Sequence, residues 1–414
     1  MAKKFSFKAT KYACYYSYVS GASVFALPAM LFTTFREMYG VSYTLLGTLV
    51  LVNFTTQLII DLVFTFNSKW FNVKKTVTTM PLLTSLGLIT YALVPSFFPK
   101  FAYLGLLLGT VLFSVAAGLG EVLLSPIVAS LPSDNPERDM STLHSLYGYG
   151  VLMVVGITTI FINLFGSHNW MYLTLFFALL PLVSAFLYSV CPIPDVTASS
   201  ESGQKDKFRP STGLLLCFFC LFLGAASENA MTNWISGFME KALGISKSMG
   251  DLLGIALFAL LLAFTRTLYA KYGKNIGRVL LLGMIGAAVC YLVAGVVANP
   301  LVCAVACVFT GVCTSMLWPG TLIFMEEKMP RVGVAAYALM AAGGDLGSSV
   351  APQILGAVTD AVSESSIAAT LSETLKISAE QIGMKAGMLI SALFPILGVA
   401  VVVIMRKHFK KAQS

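Results

Sequence analysis

Charged side chains are scarce in this sequence. Lys, Arg, Asp and Glu make up 11% of its 414 residues, whereas hydrophobic residues make up 57%. Soluble globular proteins carry about 25% charged and about 45–50% apolar residues. The composition therefore excludes a soluble enzyme, a nucleic-acid-binding protein and a protein with a single membrane anchor. The formal net charge of +8 reflects how Lys and Arg are distributed among loops, because in a membrane protein that distribution follows topology.

Motifs for nucleotides, metals and cofactors are also missing. The sequence contains no G-x-x-x-x-G-K-[ST] motif and no polar segment long enough for a nucleotide-binding domain, so neither an enzyme nor an ATP-driven pump is indicated. The eight cysteines lie mostly in apolar runs. Cys217 and Cys220 form a C-x-x-C pair without a nearby His or second Cys pair, and we interpret them as packing residues. No cofactor and no metal site is predicted.

Long apolar segments are what the sequence has in abundance. Each is close to the roughly 20 residues that an α-helix needs to cross a bilayer. The first is too long for the apolar region of a signal peptide and lacks a small-residue cleavage site, so it counts as a true span. We predict an all-α membrane protein with twelve transmembrane helices in two six-helix bundles. The predicted spans are 12–35, 43–66, 76–95, 101–131, 141–164, 170–190, 212–238, 250–270, 278–298, 301–325, 332–358 and 387–405.

The distribution of basic residues predicts the orientation. With twelve spans both termini lie on one side, and the loops of that side hold 20 of the 27 Lys and Arg residues. The opposite loops hold 6, and Arg266 lies within a span. Because cytoplasmic loops carry the excess of Lys and Arg, we expect both termini in the cytoplasm.

A polar segment divides the chain nearly in half. Residues 191–211 are rich in Ser, Gly and Pro, which is typical of a linker. The prediction is therefore an N-terminal bundle over 1–190 and a C-terminal bundle over 212–414. Two six-helix halves around a site near the membrane midplane are the usual plan of a secondary transporter. Residues 359–385 form a long external segment of some amphipathic character, with no predicted role.

Ionisable residues within the spans need a reason, because a charge near the bilayer centre costs about 2.5–3.5 kcal/mol. Away from their ends, spans 3, 6, 9 and 12 contain none, as expected if those four are peripheral and the others border a central cavity. The residues singled out on the other spans are Asp61, Glu121, His144, Glu228, Arg266 and Asp345.

Glu121 and His144 are the predicted proton-coupling pair. At about 1.5 Å per residue, they lie roughly 7 Å and 12 Å to the cytoplasmic side of their span centres, on successive spans. A partly desolvated carboxylate beside an imidazole is a coupled titrating unit. Two alternatives stay open: Glu121 accepts local hydrogen bonds beside the helix-bending Pro126, and His144 is a satisfied interfacial residue.

The predicted substrate contacts lie deeper. Asp345 falls near the centre of its span, and Glu228 about 5 Å to the external side. Trp318 lies too deep for the interfacial aromatic belt, although packing explains its position equally well. Together with Asn233 and Tyr147, these charges, amides and aromatic rings suit a polar solute such as a sugar.

Asp61 and Arg266 are the predicted gate residues. Both lie about 9 Å to the cytoplasmic side of their span centres, on cavity-bordering helices of opposite halves. We expect them to pair with groups across the cytoplasmic seam. The alternative is that each merely holds the cytoplasmic ends of neighbouring helices together.

Two loops and several span motifs carry a family resemblance. Residues 68–77 and 270–278 are similar to the G-x-x-x-D-R-x-G-R-R loop signature of the major facilitator superfamily. The span motifs resemble bacterial permeases of the fucose/galactose/glucose:proton symporter group, in which a span-4 glutamate, here Glu121, takes part in substrate and proton handling. The residues that carry this resemblance are Gly118, Gly120, Glu121, Ser125 and Pro126; Ser141, His144, Tyr147 and Gly148; Ala226 to Trp234; and Trp318, Pro319, Gly344, Asp345, Gly347 and Pro352.

The resemblance implies a proton-coupled secondary transporter of a sugar or similar small polar solute, working by alternating access as a monomer in a bacterial inner membrane. Its expected partners are the solute, protons and the lipid bilayer, and no nucleic acid. Two alternatives remain. One is a proton-linked efflux antiporter for drugs or metabolites on the same fold, and the other is a transporter-like nutrient receptor.

Overall fold

The computed structural model describes residues 6–67, 71–134, 136–194, 211–329 and 334–411, which form helices and turns without a β-strand. Short 3₁₀ or π-helical segments lie at Pro99–Phe101, Ser167–Asn169, Phe238–Ala242 and Gly250–Ala256. The α-helices are α1 Phe7–Gly21, α2 Ser23–Tyr39, α3 Tyr43–Asn67, α4 Val73–Phe97, α5 Ala102–Ala129, α6 Pro136–Phe165, α7 Trp170–Val190, α8 Thr212–Gly237, α9 Lys247–Met249, α10 Leu257–Tyr272, α11 Ile276–Val296, α12 Pro300–Thr314, α13 Leu317–Lys328, α14 Val334–Ser363, α15 Ser366–Leu375, α16 Ala379–Ser391 and α17 Leu393–Lys411.

Eleven helical segments in the described part of the chain are long and apolar enough to cross a membrane. Three of them are broken helices, formed by α1 with α2, α12 with α13, and α16 with α17. The predicted span at 332–358 coincides with α14, which is not among the eleven because its glycines, serines and aspartates lower its hydropathy. The count of twelve and the cytoplasmic position of the termini therefore stay predictions.

The chain divides into two compact units. The first comprises residues 1–39 and 52–206, and the second comprises 40–51 and 207–414. α3 therefore contributes its first turns to the second unit and the rest of its length to the first. The predicted linker at 191–211 falls mostly on residues 195–210, which lie outside the described residues, so the proposed bundle boundaries stay predictions.

Close glycine contacts join α4 and α5 in the first unit. A Cβ atom on Gly87 would lie 2.9 Å from the Gly109 carbonyl oxygen, and one on Gly109 would lie 2.7 Å from the Gly87 carbonyl oxygen. Any larger residue would push the helices apart. Beside this contact Phe35, Tyr91 and Trp170 are fully buried, and the rings of Phe35 and Trp170 pack edge to face at 4.9 Å. The close packing of α4 against α5 therefore depends on glycine at both positions.

In the second unit, α8 and α14 run side by side in the same direction. Asn229 Nδ2 donates to Ser348 Oγ at 2.8 Å, and Trp234 Nε1 donates to the Pro352 carbonyl oxygen at 3.0 Å. The two pairs are separated by 119 and 118 residues, so the register is nearly constant, as parallel helices require. Trp234 is 1% exposed and its indole N–H is satisfied, so it anchors the helix pair.

The two loops similar to the family signature both end in a helix cap. Asn72 accepts a hydrogen bond from the Lys75 backbone N–H at 2.9 Å, and Asn275 accepts one from the Arg278 N–H at 3.2 Å. An asparagine at this position satisfies one of the free N–H groups of the first helical turn. The signature's conserved glycine is thus replaced by a cap in the first loop, whose residues 68–70 lie outside the described residues.

The segment 359–385, predicted to be external, is mostly helical. It contains the end of α14, the ten-residue α15 and the start of α16, which begins with a capping box between Ser378 and Gln381. Asp360 accepts hydrogen bonds from the backbone N–H groups of Tyr43 at 3.1 Å and Thr44 at 2.6 Å. This carboxylate therefore caps the start of α3, where the helix dipole favours a negative charge.

Candidate functional site

A broken span frames the candidate site of the second unit. α12 ends at Thr314 and α13 begins at Leu317, so Ser315 and Met316 form a turn inside one apolar segment. Carbonyl groups at the end of a helix lack an intrahelical partner, and here the Ser315 carbonyl oxygen accepts a hydrogen bond from Arg266 Nε at 2.8 Å. Arg266 is thereby fixed at the break from the neighbouring α10.

Arg266 also approaches Glu228 on α8. Its Nη2 atom lies 3.5 Å from Glu228 Oε2, and the side chains of Arg266 and Glu228 are 40% and 21% exposed. The depths calculated from the sequence placed these two residues about 14 Å apart along the membrane normal. The long arginine side chain covers part of this difference in backbone depth.

Trp318 and Asp345 lie on either side of a second close contact. A Cβ atom on Gly344 would overlap the indole ring of Trp318, so the ring rests directly on the α14 backbone, next to Asp345. Trp318 is half-buried, whereas Asp345 is 7% exposed. The structure therefore brings one predicted aromatic contact beside one predicted acidic contact, in the half that also contains Glu228.

Asn233 is tied to its own helix. Its Nδ2 atom donates to the Asn229 carbonyl oxygen at 2.9 Å, and Asn229 in turn donates to Ser348. The side chain of Asn233 is half-buried. Its substrate role stays a prediction, with the Nδ2 group already engaged.

Sequence reasoning missed a buried polar cluster where α8 leads into α10. Asp251 is 0% exposed, and it accepts a hydrogen bond from Ser236 Oγ. Lys247 Nζ lies 3.8 Å from Asp251 Oδ1 and 3.7 Å from Glu240 Oε2. The signal was available, because Asp251 falls inside the predicted span 250–270. Lys241 Nζ lies 3.5 Å from Glu240 Oε1, so two lysines face the two carboxylates, and these contacts join the two π-helical segments.

In the first unit, α3 and α5 run parallel and in register. Ser114 Oγ donates to Asn53 Oδ1 at 2.6 Å, a separation of 61 residues. One turn further on, a Cβ atom on Gly118 would lie 3.2 Å from Gln57 Cα, again a separation of 61. Gln57 also donates to Asn53 at 3.0 Å, and both amides are buried. These side chains satisfy one another at the helix crossing.

The same register places Asp61 level with Glu121. Asp61 follows Gln57 by one turn on α3, and Glu121 follows Gly118 by nearly one turn on α5. A Cβ atom on Gly118 would also lie 3.1 Å from Ile60 Cβ, next to Asp61, so the two acids lie on neighbouring turns of adjacent helices. Asp61 Oδ1 is buried and has no hydrogen-bond partner among the described residues, whereas Glu121 is exposed. Two acids that the sequence assigned to different roles thus lie together.

The other predicted residues of this half have separate settings. His144 lies in α6, and its side chain is outside the described part of the structure, so its pairing with Glu121 stays a prediction. Tyr147, on the same helix, is 38% exposed and packs edge to face on Phe25 with ring centroids 5.7 Å apart. The partners found for Arg266 lie in its own unit, and its gate role with Asp61 likewise stays a prediction.

A cluster between α1 and the start of α6 was also missed. Lys11 Nζ lies 2.9 and 3.1 Å from the two carboxylate oxygens of Asp139, and Tyr15 and Ser133 donate further hydrogen bonds to Asp139. The hydrogen bond from Lys11 holds the pKa of Asp139 below its usual range. The cluster connects α1 with the start of α6, and neither Lys11 nor Asp139 stood out by sequence because both lie at span ends.

Comparison with solved structures shows the fold. The D-xylose-proton symporter is 14% identical, with 94% of this chain and 97% of that chain covered and a TM-score of 0.73. A bacterial homolog of the human lysosomal transporter Spinster, in an inward-facing and occupied conformation, is 14% identical, with 97% of each chain covered and a TM-score of 0.76. The nucleoside transporter NupG is 13% identical, with 97% and 99% covered and a TM-score of 0.68.

Sequence comparison identifies the family. No curated protein matches this sequence significantly. The family model described as Major Facilitator Superfamily matches residues 14–352, which include every ionisable residue that the sequence placed within the spans. On this evidence the chain belongs to the Major Facilitator Superfamily and is an integral, multi-pass membrane transporter.

Proposed function

We propose that the protein is a proton-coupled secondary transporter that moves a sugar or similar small polar solute by alternating access. The observation that carries this proposal is the Glu228–Arg266 pair, 3.5 Å apart and partly exposed, beside the break between α12 and α13. Interrupted helices with charged groups at membrane depth are typical of substrate sites in secondary transporters.

The proton is proposed to bind in the first unit, at Glu121. Asp61 lies level with Glu121 on the parallel α3, and two neighbouring carboxylates resist simultaneous ionisation because like charges repel at close range. One proton shared between them removes that repulsion. His144, one of the two residues first predicted for this role, is proposed as the group that exchanges this proton with the cytoplasmic side.

The solute is proposed to contact the second unit. Glu228, Asp345 and Asn233 offer hydrogen-bonding groups, and the half-buried Trp318 ring offers an apolar face. A sugar presents hydroxyls to the first kind of group and a C–H face to the second. Two of the structural neighbours are described as a D-xylose-proton symporter and a nucleoside transporter. The solutes in these descriptions, a sugar and nucleosides, are of this polar kind.

The membrane setting is proposed from the charge distribution. The 20-to-6 excess of Lys and Arg on one set of loops supports cytoplasmic termini, and we place the protein in a bacterial inner membrane as a functional monomer.

Uptake into proteoliposomes tests the proposal. Purified protein is reconstituted, an inward proton gradient is imposed, and labelled sugars, nucleosides and organic acids are offered. We expect concentrative uptake of at least one solute, abolished by a protonophore. Extrusion of preloaded solute, driven by protons that enter down their inward gradient, would instead identify an efflux antiporter. Saturable binding without flux would identify a receptor. Either result would contradict the proposed import.

A further inference from the structure

We propose that the solute carries an anionic group, a carboxylate or a phosphate, and that Arg266 binds this group. The Glu228 carboxylate competes with the solute for Arg266. This inference rests on the proposed function, because it takes the Glu228–Arg266 region as the solute site. It assigns to Arg266 a substrate role and replaces the solute contact proposed above for Glu228 by competition for Arg266. It also predicts that a neutral sugar is the weaker ligand.

The hydrogen bonds of Arg266 leave its binding edge free. A guanidinium group has five N–H donors in a planar fork that matches carboxylate and phosphate oxygens in pairs. Nε is used to anchor the side chain to the Ser315 carbonyl oxygen at 2.8 Å. The contact of Nη2 with Glu228 is 3.5 Å long, against about 2.7–2.9 Å for a good charge-assisted hydrogen bond. Glu228 thus neutralises the charge without filling the fork.

Exposure decides which sign of charge the site presents. The Arg266 side chain is 40% exposed, that of Glu228 is 21% exposed, and Asp345 is 7% exposed. Both partners of Arg266 lie on other spans of its unit, and an arginine within a span faces the protein interior or a water-filled cavity, because facing lipid is costly. Arg266 is therefore the most exposed of these three charged side chains and the one best placed to meet an anionic solute.

The rival explanation is that Arg266 only ties α10 to the break between α12 and α13. A tie of this kind needs the Nε anchor, which the structure shows, but gives no reason for 40% of the side chain to be exposed. The two explanations differ in the expected effect of Glu228. If Glu228 competes with an anion for Arg266, removing its charge strengthens binding, whereas a direct solute contact at Glu228 predicts weaker binding.

The first test uses the unmodified protein and matched solutes. Ligand-induced thermal stabilisation is measured for D-glucose, D-gluconate and D-glucose 6-phosphate, for glycerol, glycerate and glycerol 3-phosphate, and for uridine and uridine monophosphate. We expect an anionic member to bind more tightly than its neutral parent, and the gluconate and phosphate arms separate carboxylate from phosphate recognition. Preference for a neutral parent in every set would overturn the inference while leaving the transporter proposal intact.

The second test uses variants with the anionic ligand found above. Arg266→Gln is expected to weaken binding about 10- to 150-fold, the range for losing a charged hydrogen bond, and Arg266→Lys by less. Glu228→Gln is expected to tighten it. Lys271→Gln, which removes an exposed charge from the same helix, is the matched control and should bind normally.

Weaker binding by Glu228→Gln, or unchanged binding by Arg266→Gln, would overturn the inference. If Arg266→Gln does not yield monodisperse protein, the wild-type comparison and Glu228→Gln still decide. The proposed function fails by a different measurement, namely when a solute that binds is not carried across the membrane.

Discussion

The two units place their deep charges in opposite arrangements. In the first unit, Asp61 and Glu121 have the same sign and lie level on the parallel helices α3 and α5. In the second unit, Glu228 meets the positive Arg266 at a break in a span. A like-signed pair is relieved by taking up a proton, whereas an opposite-signed pair is already neutral.

This difference suggests a division of labour between the halves. A carboxylate pair changes its charge readily when protons are available, which suits a coupling site. A half-exposed acid–base pair keeps donors and acceptors in place for a polar ligand. The two pairs differ in the charge of one member. An acid paired with a second acid attracts a proton, whereas an acid paired with Arg266 leaves a cation that can attract a polar or anionic ligand.

Removing the proposed coupling carboxylate, Glu121, is expected to have the largest effect on solute accumulation. Glu121→Gln should abolish proton-driven accumulation while retaining exchange of labelled for unlabelled solute, since exchange needs no net proton movement. Asp61→Asn should impair accumulation as well if the two acids share the proton. Proteoliposome uptake and counterflow measure both, with Glu373→Gln, an exposed carboxylate on α15, as the control. Accumulation by Glu121→Gln would move the proton site elsewhere, first to Glu228 or Asp345.

Much of the fold follows from the sequence, because apolar length reports directly on membrane-spanning helices. Every predicted span coincides with a helix, and only α14 departs in apolar character. Spacing along one helix also reveals which residues lie deep. What it cannot give is lateral neighbours. Asp61 and Glu121 fall within about 2 Å in depth, but depth does not reveal that their helices are adjacent. Glu228 and Arg266 fall about 14 Å apart in depth, although their side chains meet.

Packing details explain the remaining differences. Gly118 lets α5 approach α3 closely, and this contact sets the register that brings Asp61 to the level of Glu121. The apolar pattern of the sequence does not predict the π-helical segment at Gly250–Ala256 or the turn at Ser315, whose carbonyl oxygen accepts the hydrogen bond from Arg266. The contact between Arg266 and Glu228 is therefore visible only in the structure.

Solute binding in the second unit should respond more moderately. Asp345→Asn is expected to weaken binding of a transported solute by about 10- to 150-fold if the carboxylate accepts a solute hydrogen bond. Trp318→Ala should weaken it by about 2- to 10-fold, the range for one aromatic contact. Gly344→Ala should imitate Trp318→Ala, because the added Cβ displaces the indole ring. Isothermal titration measures all three, and normal affinity in both Asp345→Asn and Trp318→Ala would remove this region from the site.

The smallest expected effect concerns stability where α1 meets the start of α6 in the first unit. The hydrogen bond from Lys11 lowers the pKa of Asp139 in the folded protein. A depressed carboxyl pKa stabilises the fold above the unfolded value, near 3.9, and this contribution is lost as the pH falls through the folded value. Asp139→Asn should therefore lower the melting temperature at pH 7, by an amount typical of partly exposed ion pairs, about 0.2–1 kcal/mol in unfolding free energy. The difference from wild type should shrink as the pH approaches 4 and below, whereas Asp134→Asn, an exposed neighbour, should melt like wild type throughout. A deficit in Asp139→Asn that is equal at pH 7 and at the lowest accessible pH would show that the hydrogen bond from Tyr15, rather than the charge of Asp139, holds α1 to α6.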